Sequence, residues 1–365
     1  MRIAYVINSL EGGGAAFPVP DITRVMRGAG HDVALFALTR RDGRALPALQ
    51  AASLPVQVRP GGEKDQLAAL RWLDRCIGAY RPDLIWTSLT RATVLGQVVG
   101  LARRVPVVSW QHNAGLSRAN IRLLRALRGL SRIWVADSRC VMDFMRDRLA
   151  IPADRAALWP IFRADPACPV ARPWQPGETV RIGSLGRLHW AKGYDVLCHA
   201  LAILKTDGSL PPFSISIAGE GAGRPQLEAL IRDLRLTTLR LDGFCTDVSG
   251  FLAAQHAYVQ PSRREGLCIA VHQAMQAGLP PLASSVGEIS HTVTDGISGR
   301  LVPPGDAPAL AAALAHMLRR PEALAGMGQA ARAHVLDRFA PARFDAAGRA
   351  ILERVLPPAN AGTGP

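Results

Sequence analysis

Short apolar runs alternate with helically spaced segments from one end of the chain to the other. Runs at 2–7 (RIAYVI), 32–38, 55–58, 83–87, 105–109 and 132–136 are apolar and bounded by turn residues, which predicts strands. A second series follows at 179–185, 213–218, 239–242, 257–260, 280–284 and 300–302. Segments such as 66–80, 192–205, 225–236 and 308–319 show helical spacing and lie between the runs. Strands separated by helices predict parallel sheets with right-handed crossovers. Two such series predict an α/β chain of two Rossmann-like, doubly wound domains.

Residues 159–176, WPIFRADPACPVARPWQP, contain five prolines and no periodic pattern. They read as a stiff connection between a first domain at 1–165 and a second at 166–340. A length of 365 residues accommodates two cores. The last nine residues, 357–365 (PPANAGTGP), read as a disordered tail. The opening MRIAYVINSLEGGG has the form of a first strand and loop rather than a signal peptide. The longest stretch without Asp, Glu, Lys or Arg, 266–287, is broken by His, Gln, Gly and Pro, so no transmembrane helix is expected.

Composition adds two constraints. The six cysteines are scattered with no CxxC pair, which fits a reducing, cytoplasmic setting and offers no zinc spacing. No motif marks a protein-built metal site, and no cofactor is expected. The net charge is +14, and residues 1–170 carry 24 Lys+Arg against 13 Asp+Glu. Such a bias favours nucleic acid, anionic membranes or phosphorylated substrates. With only three lysines among 43 cations, it equally fits an Arg-rich genome.

The candidate chemistry lies where strands run into loops, which is where paired parallel sheets bind ligands. In SLEGGGAAF (9–17), Gly12, Gly13 and Gly14 allow backbone N–H groups to approach a phosphate or sugar, or simply form a tight turn. His112, in VVSWQHNAG, follows a strand and is a candidate to donate to a sugar hydroxyl or carry a proton. In SLGRLHWAKGYDVL, Gly186 and Arg187 follow a strand, and Lys192 precedes a helix, a pairing suited to an anion. Glu220 lies in a glycine loop, IAGEGAG, that could border a nucleobase.

Glu265, in REGLCIAVHQAM, would repel a bare phosphate and is expected to accept hydrogen bonds from hydroxyls. Behind it, the N–H groups of Gly266, Leu267 and Cys268 would meet the phosphate at a helix start. The eight residues from Glu265 to Gln273 would rise about 12 Å along a helix, roughly the span of a diphosphate between two sugars. Together these parts describe a nucleotide-diphosphate sugar in a cleft between two domains.

With these motifs in order, GRLHWAKGYDVL, IAGEGAGRPQLEALI, EGLCIAVHQAMQAGLPPLASSVGEI and DGISGRLVPPGD, the chain resembles the retaining GT-B glycosyltransferases of family 4 (group 1). The resemblance spans nearly the whole chain and is strongest over 181–305. It implies that Arg187 and Lys192 neutralise the departing diphosphate and that Glu265 holds the donor sugar. It further implies that Gln273 stands at the ribose, that His112 reaches the donor sugar and that Gly12 to Gly14 lie below the diphosphate and acceptor. The last helix, in 340–356, would cross back to the first domain.

The chain departs from the family pattern at three places. Gln273 replaces an acid, two prolines follow the first glycine loop, and Glu288 directly follows Gly287. A basic amphipathic segment, 116–132, interleaves Arg118, Arg122, Arg125, Arg128 and Arg132 with Ile121, Leu124 and Leu127. It reads as a membrane-surface helix, with a glycan or lipid-linked acceptor, or as a solvated helix packed on its own sheet. A GT-B-fold epimerase or phosphorylase and a non-catalytic nucleotide- or nucleic-acid-binding protein are the rival readings. Against nucleic acid, the cations are not interleaved with stacking aromatics.

Overall fold

The computed structural model describes residues 1–205 and 207–355, so the expected tail over 357–365 lies outside the described residues. The chain forms two units, 1–163 with the segment from Pro341 onward, and 164–340.

The first unit is built on seven parallel strands: β1 (Arg2–Ile7), β2 (Asp32–Ala37), β3 (Val56–Val58), β4 (Leu84–Ser88), β5 (Val107–Gln111), β6 (Ile133–Ala136) and β7 (Ala156–Leu158). Their order is β3-β2-β1-β4-β5-β6-β7. The second unit has six: β8 (Val180–Leu185), β9 (Phe213–Ala218), β10 (Leu239–Gly243), β11 (Ala257–Gln260), β12 (Pro281–Ser284) and β13 (Arg300–Val302), in the order β10-β9-β8-β11-β12-β13. Helices cover both faces of a parallel sheet, so its central strands are apolar on both sides. β4 and β5 are accordingly buried at every position. In each sheet the strand order reverses at the first strand, between β1 and β4 and between β8 and β11.

The sequence pattern does not announce β7. Its three residues, Ala-Ala-Leu, are too short and too poor in β-formers, and the strand exists because β6 offers an edge with Trp134 opposite Ala156. The proline-rich stretch that reads as a connection also begins as core. Trp159 is fully buried, stacked on Trp110 with ring centroids 4.9 Å apart and set edge-on to Trp86 at 5.8 Å.

Helix Pro341–Val355 closes this face of the first unit. Its buried residues Phe344, Gly348, Ile351, Leu352 and Val355 recur at helical spacing along one stripe. Phe344 lies 5.3 Å from the Trp159 ring, and Asp345 pairs with Arg24 at 2.8 Å. Gly348 passes directly over Trp159, and a Cβ there would come within 2.4 Å of the indole.

Two effects of Gly348→Ala therefore oppose each other. The helix would gain about 1 kcal/mol in propensity, while overpacking a stacked indole costs about 1–3 kcal/mol. The clash should win because Trp159 has no room to move. Urea unfolding should show a net loss of about 1–2 kcal/mol; a stabilised variant would contradict this packing.

Candidate active site

In the second unit, β8 and β11 are neighbours, with Ala257 opposite Ile182 and Tyr258 opposite Gly183. The loops that follow them, 186–193 and 261–268, therefore leave the same edge side by side. The first loop closes in a 3₁₀ turn, Trp190–Lys192, whose cap His189 accepts the Ala191 N–H through Nδ1 at 3.2 Å. Gly193 then adopts φ +66°, and any Cβ there would lie 2.0 Å from the Pro261 carbonyl oxygen. Only glycine lets the two loops lie this close.

This contact brings Lys192 to Glu265. Lys192 Nζ donates to Glu265 Oε1 at 2.7 Å, and Ser262 Oγ donates to the same oxygen at 2.6 Å. Ser262 in turn accepts from Gln260 Nε2 at 2.8 Å, and Gln260 Oε1 accepts from the Tyr258 hydroxyl at 2.7 Å. The line runs from the buried strand β11 out to the carboxylate and fixes its orientation. Burial alone would lower the Lys192 pKa, but the facing Glu265 carboxylate outweighs it and holds the ammonium above its ordinary value. An acid is thus tolerable just before a helix start, because a protonated lysine already neutralises it.

Helix Ile269–Gln276 begins after Cys268, which caps it in the left-handed conformation at φ +63°. The side chains of Leu267 and Cys268 are buried. Gln273 is half-buried, and its side chain makes no hydrogen bond among the described residues. The helical rise expected between Glu265 and Gln273 applies only from Ile269 onward, because 265–268 is loop. The separation of Glu265 from Gln273 is therefore set by a loop and the first turn of a helix rather than by helical rise alone.

Arg187 is exposed, just beyond β8. Gly186 is packed against Gly219, where a Cβ would meet the Gly186 oxygen at 1.9 Å. Glu220 is engaged locally, its Oε1 accepting from Arg224 at 2.8 Å, and Arg224 also holds Glu228. Glu288, buried, pairs with Arg338, and its N–H donates to the Gly266 carbonyl at 2.9 Å. It braces the Glu265–Gly266 backbone from behind.

Several neighbours escape sequence reasoning. Tyr258, Gln260 and Ser262 are polar at alternate positions along a buried strand and its exit, and that period-two pattern is a legible signal. Arg263 grips Asp195 through two bonds of 2.6 and 2.7 Å, a pairing across 68 residues that no local pattern shows. The guanidiniums of Arg263 and Arg264 each lie 5.4 Å from the exposed Trp190 ring.

The glycine loop of the first unit is less open than expected. The Gly12 N–H donates to Asp42 Oδ1 at 3.0 Å, so it is committed within the protein. The Gly13 carbonyl accepts from Ala16 and Phe17, both at 3.2 Å, and Gly14 is exposed. The helix starts only at Val19, with Pro18 as its cap and Pro20 in the first turn, where a missing N–H costs nothing.

His112 lies one residue past β5, and its side chain is only 6% exposed. Its Nε2 is 2.7 Å from Ser88 Oγ and its Nδ1 is 3.4 Å from Asp137 Oδ2. The basic helix Arg118–Leu127 buries Leu124 and leaves Arg118, Arg122 and Arg125 exposed. Among the described residues, no three His, Cys, Asp or Glu side chains converge as metal ligands, and no helix is long and apolar enough to cross a membrane. All six cysteines are free thiols.

Comparison with known proteins agrees with this fold. Residues 12–162 match the model of Glycosyltransferase Family 4, and residues 173–334 match that of Glycosyl transferases group 1. Between them the two models cover most of the chain and support a group 1 glycosyltransferase, and the chain has the GT-B fold. The amylovoran biosynthesis glycosyltransferase AmsK of Erwinia amylovora is 33% identical over 171 residues, covering 44% of this chain and 42% of that protein. The lipopolysaccharide core biosynthesis glycosyltransferase LpsD of Rhizobium meliloti is 32% identical over 155 residues, covering 42% of this chain and 43% of that one. The chain thus matches about two fifths of the length of these relatives. The crystal structure of Anabaena HepE in complex with UDP and glucose shares the fold, with a TM-score of 0.84 at 21% identity over 96% of this chain and 99% of that one.

The helix behind the site carries a pH dependence. His272 Nδ1 lies 2.9 Å from the Cys268 carbonyl and Nε2 3.2 Å from Thr292 Oγ1. Burial pushes its pKa down to about 4; the Cys268 bond opposes this, while Arg338 and His334 add to it. Unfolding restores a value near ~6.5, so the unfolded chain takes up the extra proton between these limits. His272 contributes stability above about pH 6.5 that is lost as pH falls toward about 4. Urea titrations across this window should show a loss of up to about 3 kcal/mol that His272→Leu reduces. Equal losses in both proteins would contradict it.

Proposed function

We propose that the protein is a retaining, metal-independent hexosyltransferase. It moves a sugar from a UDP- or GDP-linked donor to a hydroxyl of a glycan or lipid-linked acceptor, in surface polysaccharide or lipopolysaccharide synthesis. The observation that carries this reading is the Lys192–Glu265 pair at the strand-order reversal of the second sheet, immediately before helix Ile269–Gln276. The amylovoran and lipopolysaccharide core syntheses to which AmsK and LpsD belong, and the UDP and glucose bound to HepE, support it.

The chemistry follows from charge. As the glycosidic C–O bond breaks, negative charge grows on the diphosphate and positive character on the sugar. The Lys192 ammonium and the exposed Arg187 guanidinium stabilise the first, in the role a metal ion fills in other transferases. Glu265, oriented by Lys192 and Ser262, accepts hydrogen bonds from donor-sugar hydroxyls. Gln273 donates to or accepts from the ribose. Retention places the acceptor on the face of the departing phosphate, whose oxygen takes the acceptor's proton. Arg118, Arg122 and Arg125 bring the first unit to an anionic membrane at its cytoplasmic face, where a lipid-linked acceptor resides.

Three measurements test this. Melting-temperature shifts with UDP- and GDP-hexoses identify the donor, and Lys192→Ala should then lower kcat about a hundredfold. Turnover close to wild type would refute the assignment. In flotation with vesicles containing anionic lipid at low salt, the wild type should float and a variant with Arg118, Arg122 and Arg125 changed to Gln should not. No flotation of the wild type removes the membrane reading.

A further inference from the structure

Ser88, His112 and Asp137 stand at the carboxyl ends of three adjacent strands. Ser88 ends β4, His112 follows β5 and Asp137 follows β6, and the register sets Ser88 opposite Trp110 and Gln111 opposite Ala136. Alternation turns all three side chains to one face of the sheet. All three are buried: Ser88 is inaccessible, and the His112 and Asp137 side chains are 6% and 4% exposed. Ser88 is followed by Leu89 at φ +76°, a strained conformation for a side chain of this kind, so the end of β4 is held under constraint.

The distances order the protons. Asp137 Oδ1 accepts from the Ser138 hydroxyl at 2.8 Å, which leaves Oδ2 facing His112 Nδ1 at 3.4 Å. No hydrogen bond to Nδ1 is formed at this distance, but a carboxylate can only accept and a buried lone pair facing it would be repelled, so the proton belongs on Nδ1. Nε2 is then a lone pair, and the Ser88 hydroxyl at 2.7 Å donates to it.

We propose that Asp137 is a positioning residue that fixes His112 as the Nδ1–H tautomer, with Ser88 holding the accepting Nε2 until a sugar hydroxyl takes its place. The part concerning the sugar rests on the transferase reading above; the tautomer does not. The same geometry says what Asp137→Asn does. The amide oxygen stays with Ser138, and the NH₂ replaces Oδ2 opposite Nδ1. Nδ1 must then accept, and the proton moves to Nε2, the wrong side for a hydroxyl donor.

The test is ¹⁵N-histidine NMR of the full chain, with His112 assigned by its loss in His112→Gln, beside steady-state transfer kinetics. Wild type should show Nδ1 protonated and Nε2 bare; Ser88→Ala should keep that pattern, and Asp137→Asn should reverse it. In transfer, Asp137→Asn should lower kcat about a hundredfold with donor KM within about threefold. It should add no further loss on top of His112→Gln. An Nε2–H tautomer in the wild type, or an unchanged tautomer in Asp137→Asn, overturns the proposal even if the Asn variant is unstable. A reversed tautomer with unchanged transfer overturns the positioning role. If the wild type transfers no sugar at all, the function proposed above fails, while the NMR result still decides whether Asp137 sets the His112 tautomer.

Discussion

A parallel sheet must send every connection back across its own face, and this constraint arranges everything else in the molecule. Each strand leaves the sheet at the same edge, and where the strand order reverses, the loops after two neighbouring strands start side by side before their helices lead to opposite ends of the sheet. In the second unit that place lies between β8 and β11. The loops after them can therefore meet over the gap, which puts Lys192 against Glu265 although 73 residues separate them. The close backbone approach at Gly193 turns this topological opportunity into a fixed contact. Everything assigned to the donor hangs on that one junction.

Most of the strands were legible because helices bury both faces of each sheet, so the strands are written as plain apolar runs. Legibility ended where length or context carried the information. β7 has three unremarkable residues and depends on its neighbour for existence. Trp159 was masked by the prolines around it, although its burial beneath Phe344 makes it central to the first core. The candidate residues could be named one at a time, since each stands just past a strand. Their partners could not, because a carboxylate such as Asp42 that captures the Gly12 N–H belongs to a different crossover. Glu288 is a similar case, its role visible only once Arg338 is brought to it from fifty residues away.

The two units handle buried polarity in different ways. In the second, the line from Tyr258 through Gln260 and Ser262 to Glu265 satisfies each member in turn and ends on a cation. A network of this kind is rigid, since displacing one group leaves its neighbours unsatisfied in a region of low dielectric. The first unit buries a polar chain as well, from Gln97 through Ser131 and Ser109 to Thr87, beside isolated polar atoms: His112 Nδ1 and the indole N–H groups of Trp86, Trp110 and Trp159 have no hydrogen-bond partner among the described residues.

The return of helix Pro341–Val355 to the first unit also sets an order of assembly during synthesis. The second unit is continuous in sequence, from 164 to 340, and all of its strands have been made before that helix begins. The first unit is translated earlier, yet its Trp159 face has no cover until the final helix emerges from the ribosome. The usual sequence, in which the N-terminal domain is finished first, is inverted here. Through the translation of nearly half the chain, the nascent first unit carries an open aromatic surface.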